Sequence, residues 1–147
     1  MIIIKDNLAK RNWNGSKVCS FCSSLETIKH LFFDCIVAKA LWRMVHCVFG
    51  LRPPRNIAHM FGGWSKLGQQ KHNLLLLTSA AALCWVIWLT RNDLVFNSCQ
   101  PKFFLQVLFR ATYWLRFWAP LQRLDEHIQD ACRILESKTM FIFASKG

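Results

Sequence analysis

Three cysteines and a histidine near the start of the chain, Cys19, Cys22, His30 and Cys35, have the residue types and the spacing of a closed zinc site. Three thiolates and an imidazole complete a tetrahedron around Zn2+ and leave no position for water or substrate, which is the arrangement of structural and not catalytic zinc. Cys19-Ser-Phe-Cys22 is short enough for both sulfurs to face one ion, and the other two ligands follow within thirteen residues. The competing explanation is ordinary buried thiols, since free cysteine is among the most buried residue types and the chain has seven. A Cys-x2-Cys pair followed closely by His-x4-Cys favours the metal. His46 is a rival fourth ligand, but it falls with Arg43 on the polar stripe of the next predicted helix.

These side chains need elements that aim them. Ser23-x-x-Glu26 has the pattern of a capping box, which predicts a short helix starting just after Cys22 and carrying His30 about two turns in. From His30 to Cys35 an unbroken α-helix would rotate roughly 500° and point the two ligands to different faces. The helix is therefore expected to loosen near Asp34. The second ring nitrogen of His30 needs an acceptor, which the sequence does not identify.

Residues 36–48 place Lys39, Arg43 and His46 on a narrow stripe, with Ile36, Val37, Leu41, Met44, Val45 and Val48 around the rest, and Gly50 as the stop. Arg52-Pro-Pro-Arg55 and Gly62-Gly63 mark a loop-rich link. Leu74–Thr90 is an uncharged run of seventeen residues, about 25 Å as a helix against roughly 30 Å of bilayer hydrocarbon. Its small residues and the two apolar helices that follow favour a central buried helix over a membrane span. Phe103–Trp118 sets Gln106, Arg110, Tyr113 and Arg116 on a polar face. Asp125 and Glu126 suit the start of a last helix that buries Ile128, Cys132 and Leu135 and nears its end at Lys138. The Met140–Phe143 tail is ambiguous. Cys47 and Cys84 lie in apolar stretches and are expected in the core, whereas Cys99 and Cys132 have no assignment.

The expected fold is mainly α: a small zinc knuckle with short helices over residues 1–49, a loop-rich linker over 50–71, and a helical region of about four helices over 72–147. With 53% hydrophobic residues, 7 Trp and 12 Phe, the chain is too apolar for a disordered tail. An odd cysteine count without a cleavable signal pattern points to a reducing, intracellular compartment, nuclear or cytoplasmic, and not to secretion.

The formal net charge of +11 is uneven, with 11 Lys or Arg against 3 acids in residues 1–71 and 8 against 5 in the remainder. Lys5, Lys10, Arg11, Lys17 and Lys29 surround the ligand frame. Lys10, Arg11, Lys17 and Lys29 are candidates for the phosphates of RNA or DNA, and Trp13 and Phe21 for stacking on unpaired bases. Against this stands a solvated basic face with both aromatics packed over the zinc loop. Catalysis has little footing: the carboxylates are too scattered to hold two metal ions, and no glycine loop precedes a Lys-Ser/Thr.

Lys5-Asp-Asn-Leu8, Arg11, Cys19-Ser-Phe-Cys22, Glu26-Thr-Ile-Lys-His30-Leu-Phe-Phe-Asp-Cys35 and Ala40-Leu-Trp42 together closely resemble the zinc-binding domain C-terminal to the reverse transcriptase of plant non-LTR (LINE-type) retrotransposons. Trp85-Val-Ile-Trp88-Leu-Thr-Arg-Asn92 with Val95-Phe96 is similar to the segment downstream of that domain. The resemblance implies a non-catalytic zinc module that assists nucleic-acid handling beside a reverse transcriptase domain. Family members carry an aromatic-rich segment where this chain has Met1-Ile-Ile-Ile4, which implies a module shortened at its N-terminus, with exposed apolar surface prone to self-association. A protein-docking remnant without nucleic-acid binding is the alternative, and a membrane-associated protein is less favoured.

Overall fold

Helix-forming periodicity dominates most of the chain, and the structure, a computed structural model, follows it. Residues 4–64, 66, 70–98, 104–122 and 125–145 are described. Among them no strand forms, and the α-helices are α1 (Lys5–Ala9), α2 (Ile36–Phe49), α3 (Ile57–Trp64), α4 (Gln70–Asn97), α5 (Phe104–Trp118) and α6 (Asp125–Ala144). A π-helical turn occupies His30–Asp34 and a 3-10 turn Ala119–Gln122. The protein is mainly α, as its periodicity predicts.

The C-terminus of α2 is set by Gly50, whose φ of 69° is left-handed and free of strain only without a Cβ. Its N–H donates to the His46 carbonyl at 2.7 Å and closes the last turn. Lys39, Arg43 and His46 are exposed while Leu41, Met44, Val45 and Val48 are buried. Two residues depart from expectation. Ile36, in the first turn, is 66% exposed, and Cys47 shares the open side with His46 and is not a core thiol.

The stretch read as a loop-rich link contains α3. Gly62 and Gly63 disfavour helix, but Met60 and Trp64 lie four residues apart on one face and both bury. Trp64 meets Trp42 edge to face, with ring centroids 5.7 Å apart, so tertiary packing outweighs local propensity. Trp42 also stacks on Phe33 at 6.2 Å and donates its indole N–H to the Phe32 carbonyl at 2.8 Å. One tryptophan thus joins the ligand-bearing turn to α2 and α3.

The 28 residues of α4 extend about 42 Å. Leu76, Ala80, Leu83, Val86 and Ile87 belong to a core that runs from Ile4 to Leu135, whereas Ala82 faces a second cluster with Leu115, Ala119, Ile128 and Cys132. Burial on two sides explains the absence of charge from Leu74 to Thr90. Asn73–Asn97 is long and apolar enough to cross a membrane by length and composition. Here it packs among α2, α3 and α5.

In α5, Val107, Leu108, Ala111 and Leu115 are buried and Tyr113 is exposed. In α6, Ile128, Cys132 and Leu135 turn inward as expected, but the helix passes Lys138 and takes Met140–Phe143 with it. Lys138 Nζ donates to the Val48 carbonyl at 3.4 Å, linking α6 to the end of α2. Burial pushes the Cys132 and Cys84 thiols up to about 11 and about 12, which keeps both protonated and unreactive. Cys99 lies outside the described residues.

Arg116 holds both carboxylate oxygens of Glu136, at 2.7 and 2.9 Å, and Thr112 Oγ1 adds a third bond at 2.6 Å. The guanidinium keeps the Glu136 carboxyl below its ordinary 4.5. A depressed carboxylate stabilises the fold above its unfolded pKa and loses that contribution as pH falls through the folded one. Glu136→Gln should therefore destabilise the protein at pH 7, and its deficit against the native chain should shrink as the pH falls below about 4.5, read by urea denaturation. In the same assay Ile87→Ala, at a fully buried position, should cost about 2–5 kcal/mol at any pH where the native chain folds.

Candidate metal centre

The segment from Lys17 to Glu26 folds back on itself through two backbone bonds, Cys19 N–H to Ser24 O at 2.8 Å and Glu26 N–H to Lys17 O at 3.0 Å, with an isolated bridge between Val18 and Leu25. The Phe21 N–H points at Cys19 Sγ, 3.4 Å away. Lys5 Nζ closes the open side by donating to the Val18 carbonyl at 2.6 Å and to Ser20 Oγ at 3.2 Å. This lysine is engaged by the knuckle itself.

The capping box expected at Ser23 and Glu26 does not form. Glu26 is fully buried, and both of its carboxylate oxygens are taken by Arg91 of α4, so none remains for a local cap. Thr27 does the capping instead: its Oγ1 accepts the His30 N–H at 3.0 Å. The helical turn begins after Thr27, which puts His30 in its first turn and not two turns in.

Between His30 and Cys35 the chain widens. Cys35 N–H donates to the His30 carbonyl at 2.7 Å, an i to i+5 bond, and this stacks the two ligands where an α-helical register would separate them. Cys35 then turns extended, with φ −62° and ψ 147°, and starts α2. The loosening expected near Asp34 takes the form of a π turn followed by a break.

The ligand atoms of Cys19, Cys22, His30 and Cys35 all lie within 4.8 Å of one another. Cys19 Sγ and Cys35 Sγ are 3.8 Å apart, and Cys22 Sγ is 3.2 Å from His30 Nε2. Two sulfurs each about 2.3 Å from one tetrahedral ion are about 3.8 Å apart, so the sulfur pair already has the edge length that Zn2+ requires. Cys19 and Cys35 are buried, Cys22 and His30 half-buried. The bond with Cys35, aided by the Phe21 N–H, lowers the Cys19 thiol to about 5, whereas the same bond and burial push Cys35 up. Neighbouring sulfurs resist ionising together until a cation neutralises them, and a donor set of three sulfurs and one nitrogen suits zinc. His46 stands apart from this cluster: its Nδ1 faces the Leu51 carbonyl at 3.0 Å.

The basic candidates are placed unevenly. Lys10, Arg11, Lys17 and Lys29 are all exposed. Lys10 pairs with Asp6 at 3.1 Å and Lys29 with Asp34 at 3.0 Å, both in solvent-facing geometry. Trp13 is 38% exposed and lies over Gly15, where a Cβ would collide with its ring. Phe21 is half-buried against the core.

The sequence places Glu26 in a local cap, and nothing local pairs it with Arg91, 65 positions away. The only sequence signal for the cap that forms is the hydroxyl of Thr27 three residues before His30.

Fold and site together define a helical protein with a Cys3His centre suited to Zn2+. Residues 1–42 match the profile of the family described as zinc-binding in reverse transcriptase, which together with the Cys3His cluster supports a zinc-binding module in this part of the chain. No curated protein and no solved structure matches the chain.

One zinc ion per chain is expected by metal analysis, with His30→Ala and Cys35→Ser each losing it and disordering residues 15–42, because ligation of this kind contributes on the order of 10–16 kcal/mol to folding. Zinc retention should fall with pH as protons compete for the sulfurs and the imidazole. Full stoichiometry in both variants would contradict the ligand set.

Proposed function

We propose that the chain is a non-catalytic zinc module of the kind that follows the reverse transcriptase of LINE-type elements of plants, acting beside such a polymerase domain and contributing phosphate affinity. The observation that carries this reading is the four-ligand cluster inside the segment that matches the reverse-transcriptase zinc-binding family. Cys19, Cys22, His30 and Cys35 would hold the ion, whose role is to fix the fold of the knuckle. With every ligand position filled by protein, the metal has no vacant site at which to activate water.

Lys10, Arg11, Lys17 and Lys29 are the proposed contacts to RNA or DNA. Their placement supports this, since all four project into solvent, and surface ion pairs such as Lys10–Asp6 are weak enough for a phosphate to displace. Trp13, exposed over Gly15, can offer its ring to an unpaired base. The second reading, a protein-docking module, draws on Phe109, Tyr113 and Phe117, which recur at four-residue spacing along α5 and are 40%, 60% and 59% exposed.

The test is binding of a single-stranded RNA and a single-stranded DNA oligonucleotide across a salt series. Affinity should drop steeply with salt, and replacing all four basic residues by Gln should weaken binding and flatten the slope of log K against log salt by up to about 0.7 per lost contact. Binding that is unchanged in the fourfold variant would exclude these residues, and no binding at low salt would favour the docking reading.

A further inference from the structure

We infer that Arg91 is a positioning residue for the metal ligands, so that zinc affinity and the docking of α4 on the knuckle are linked. The inference rests on the zinc reading above and adds a residue on a distant helix to it.

Glu26 lies four residues after Cys22 and four before His30, at the junction between the folded-back knuckle and the turn that Thr27 caps. Its backbone N–H closes the knuckle against Lys17, and its side chain is fully buried. Arg91 meets it as a fork, Nη2 to Oε1 at 2.6 Å and Nε to Oε2 at 3.3 Å, with its own side chain only 1% exposed. The Lys5 backbone N–H adds a bond to Oε1 at 2.9 Å. The guanidinium is itself held: Nη1 donates to Asn92 Oδ1 at 3.0 Å, and the group sits 5.3 Å over the Trp88 ring. A planar fork fixed on a helix determines where the carboxylate, and with it the backbone of residue 26, must be.

That position bears directly on the ligands. Cys19 and Cys22 precede the junction and His30 and Cys35 follow it, so the two ligand pairs are oriented relative to each other through residue 26. Removing Arg91 leaves a buried carboxylate without its partner, a state that folded chains relieve by opening the segment to water. An opened junction separates the ligand pairs and lowers metal affinity, and by reciprocity of linkage metal binding favours the docked α4.

The test measures zinc affinity of the full chain by competition with a chromophoric chelator for native protein, Glu26→Gln, Arg91→Met, Arg91→Lys and the double variant Glu26→Met/Arg91→Met. Cobalt(II) absorption reports ligand geometry, and circular dichroism reports helix content. Arg91→Met should lose roughly ten- to a hundredfold in zinc affinity, the range for residues that orient ligands without touching the metal. Arg91→Lys, which keeps the charge but not the fork, should lose less. The double variant should lose no more than either single change, because the uncompensated charge is gone. If Arg91→Met does not fold, Arg91→Lys and Glu26→Gln carry the comparison. Reduced thermal stability with native zinc affinity and native cobalt spectrum in these variants would overturn the inference. Native protein that takes up no zinc would overturn the metal reading itself, a different result from variants that merely match the native chain.

Discussion

The convergence of four side chains on one point constrains everything else in the N-terminal third of the molecule. Lys17, Val18, Ser23, Ser24 and Leu25 are exposed, so the knuckle that carries two of the ligands has little apolar surface with which to hold itself together. Structural zinc contributes on the order of 10–16 kcal/mol, comparable to the whole net stability of an ordinary domain. The handful of backbone bonds in the knuckle, at about 1 kcal/mol net each, cannot substitute for that. The short knuckle of residues 17–25 is accordingly the part that depends most on ligation, whereas the π turn from His30 to Asp34 is also held by the burial of Leu31, Phe32 and Phe33.

The ligand frame is not isolated from the helices behind it. Leu31, Phe32 and Phe33, on the turn that separates two ligands, are buried in the core that continues through α2 and α4, and Trp42 clamps that turn from α2. The buried Glu26–Arg91 pair makes the second connection, from the junction between the ligand pairs to the far end of α4. One connection is apolar and tolerant of small shifts, whereas the other is a fork that accepts one geometry. Together they transmit the position of the helices to the metal centre and the reverse.

Much of this was legible from local pattern. The ligand set rests on spacing, Gly50 on the backbone freedom a helix end needs, and the inward side of α6 on the recurrence of Ile128, Cys132 and Leu135. What escaped depended on partners far away in sequence. Glu26 has the offset from Ser23 that a cap requires, yet a guanidinium 65 residues later takes both of its oxygens, and the helix start moves to Thr27. Residues 57–64 look like a link because of their paired glycines, and become helix because Met60 and Trp64 find a hydrophobic wall. Cys47 lies in an apolar run but falls on the open side of α2, a distinction set by which helix faces are covered.

The central claim is that these four side chains form one closed zinc coordination sphere, and X-ray absorption at the zinc K-edge of the purified protein tests it most directly. The account predicts three sulfurs at about 2.3 Å and one nitrogen at about 2.0–2.1 Å, with imidazole back-scattering and no oxygen in the first shell. Fewer than three sulfurs, or a water oxygen bound to the metal, would contradict it.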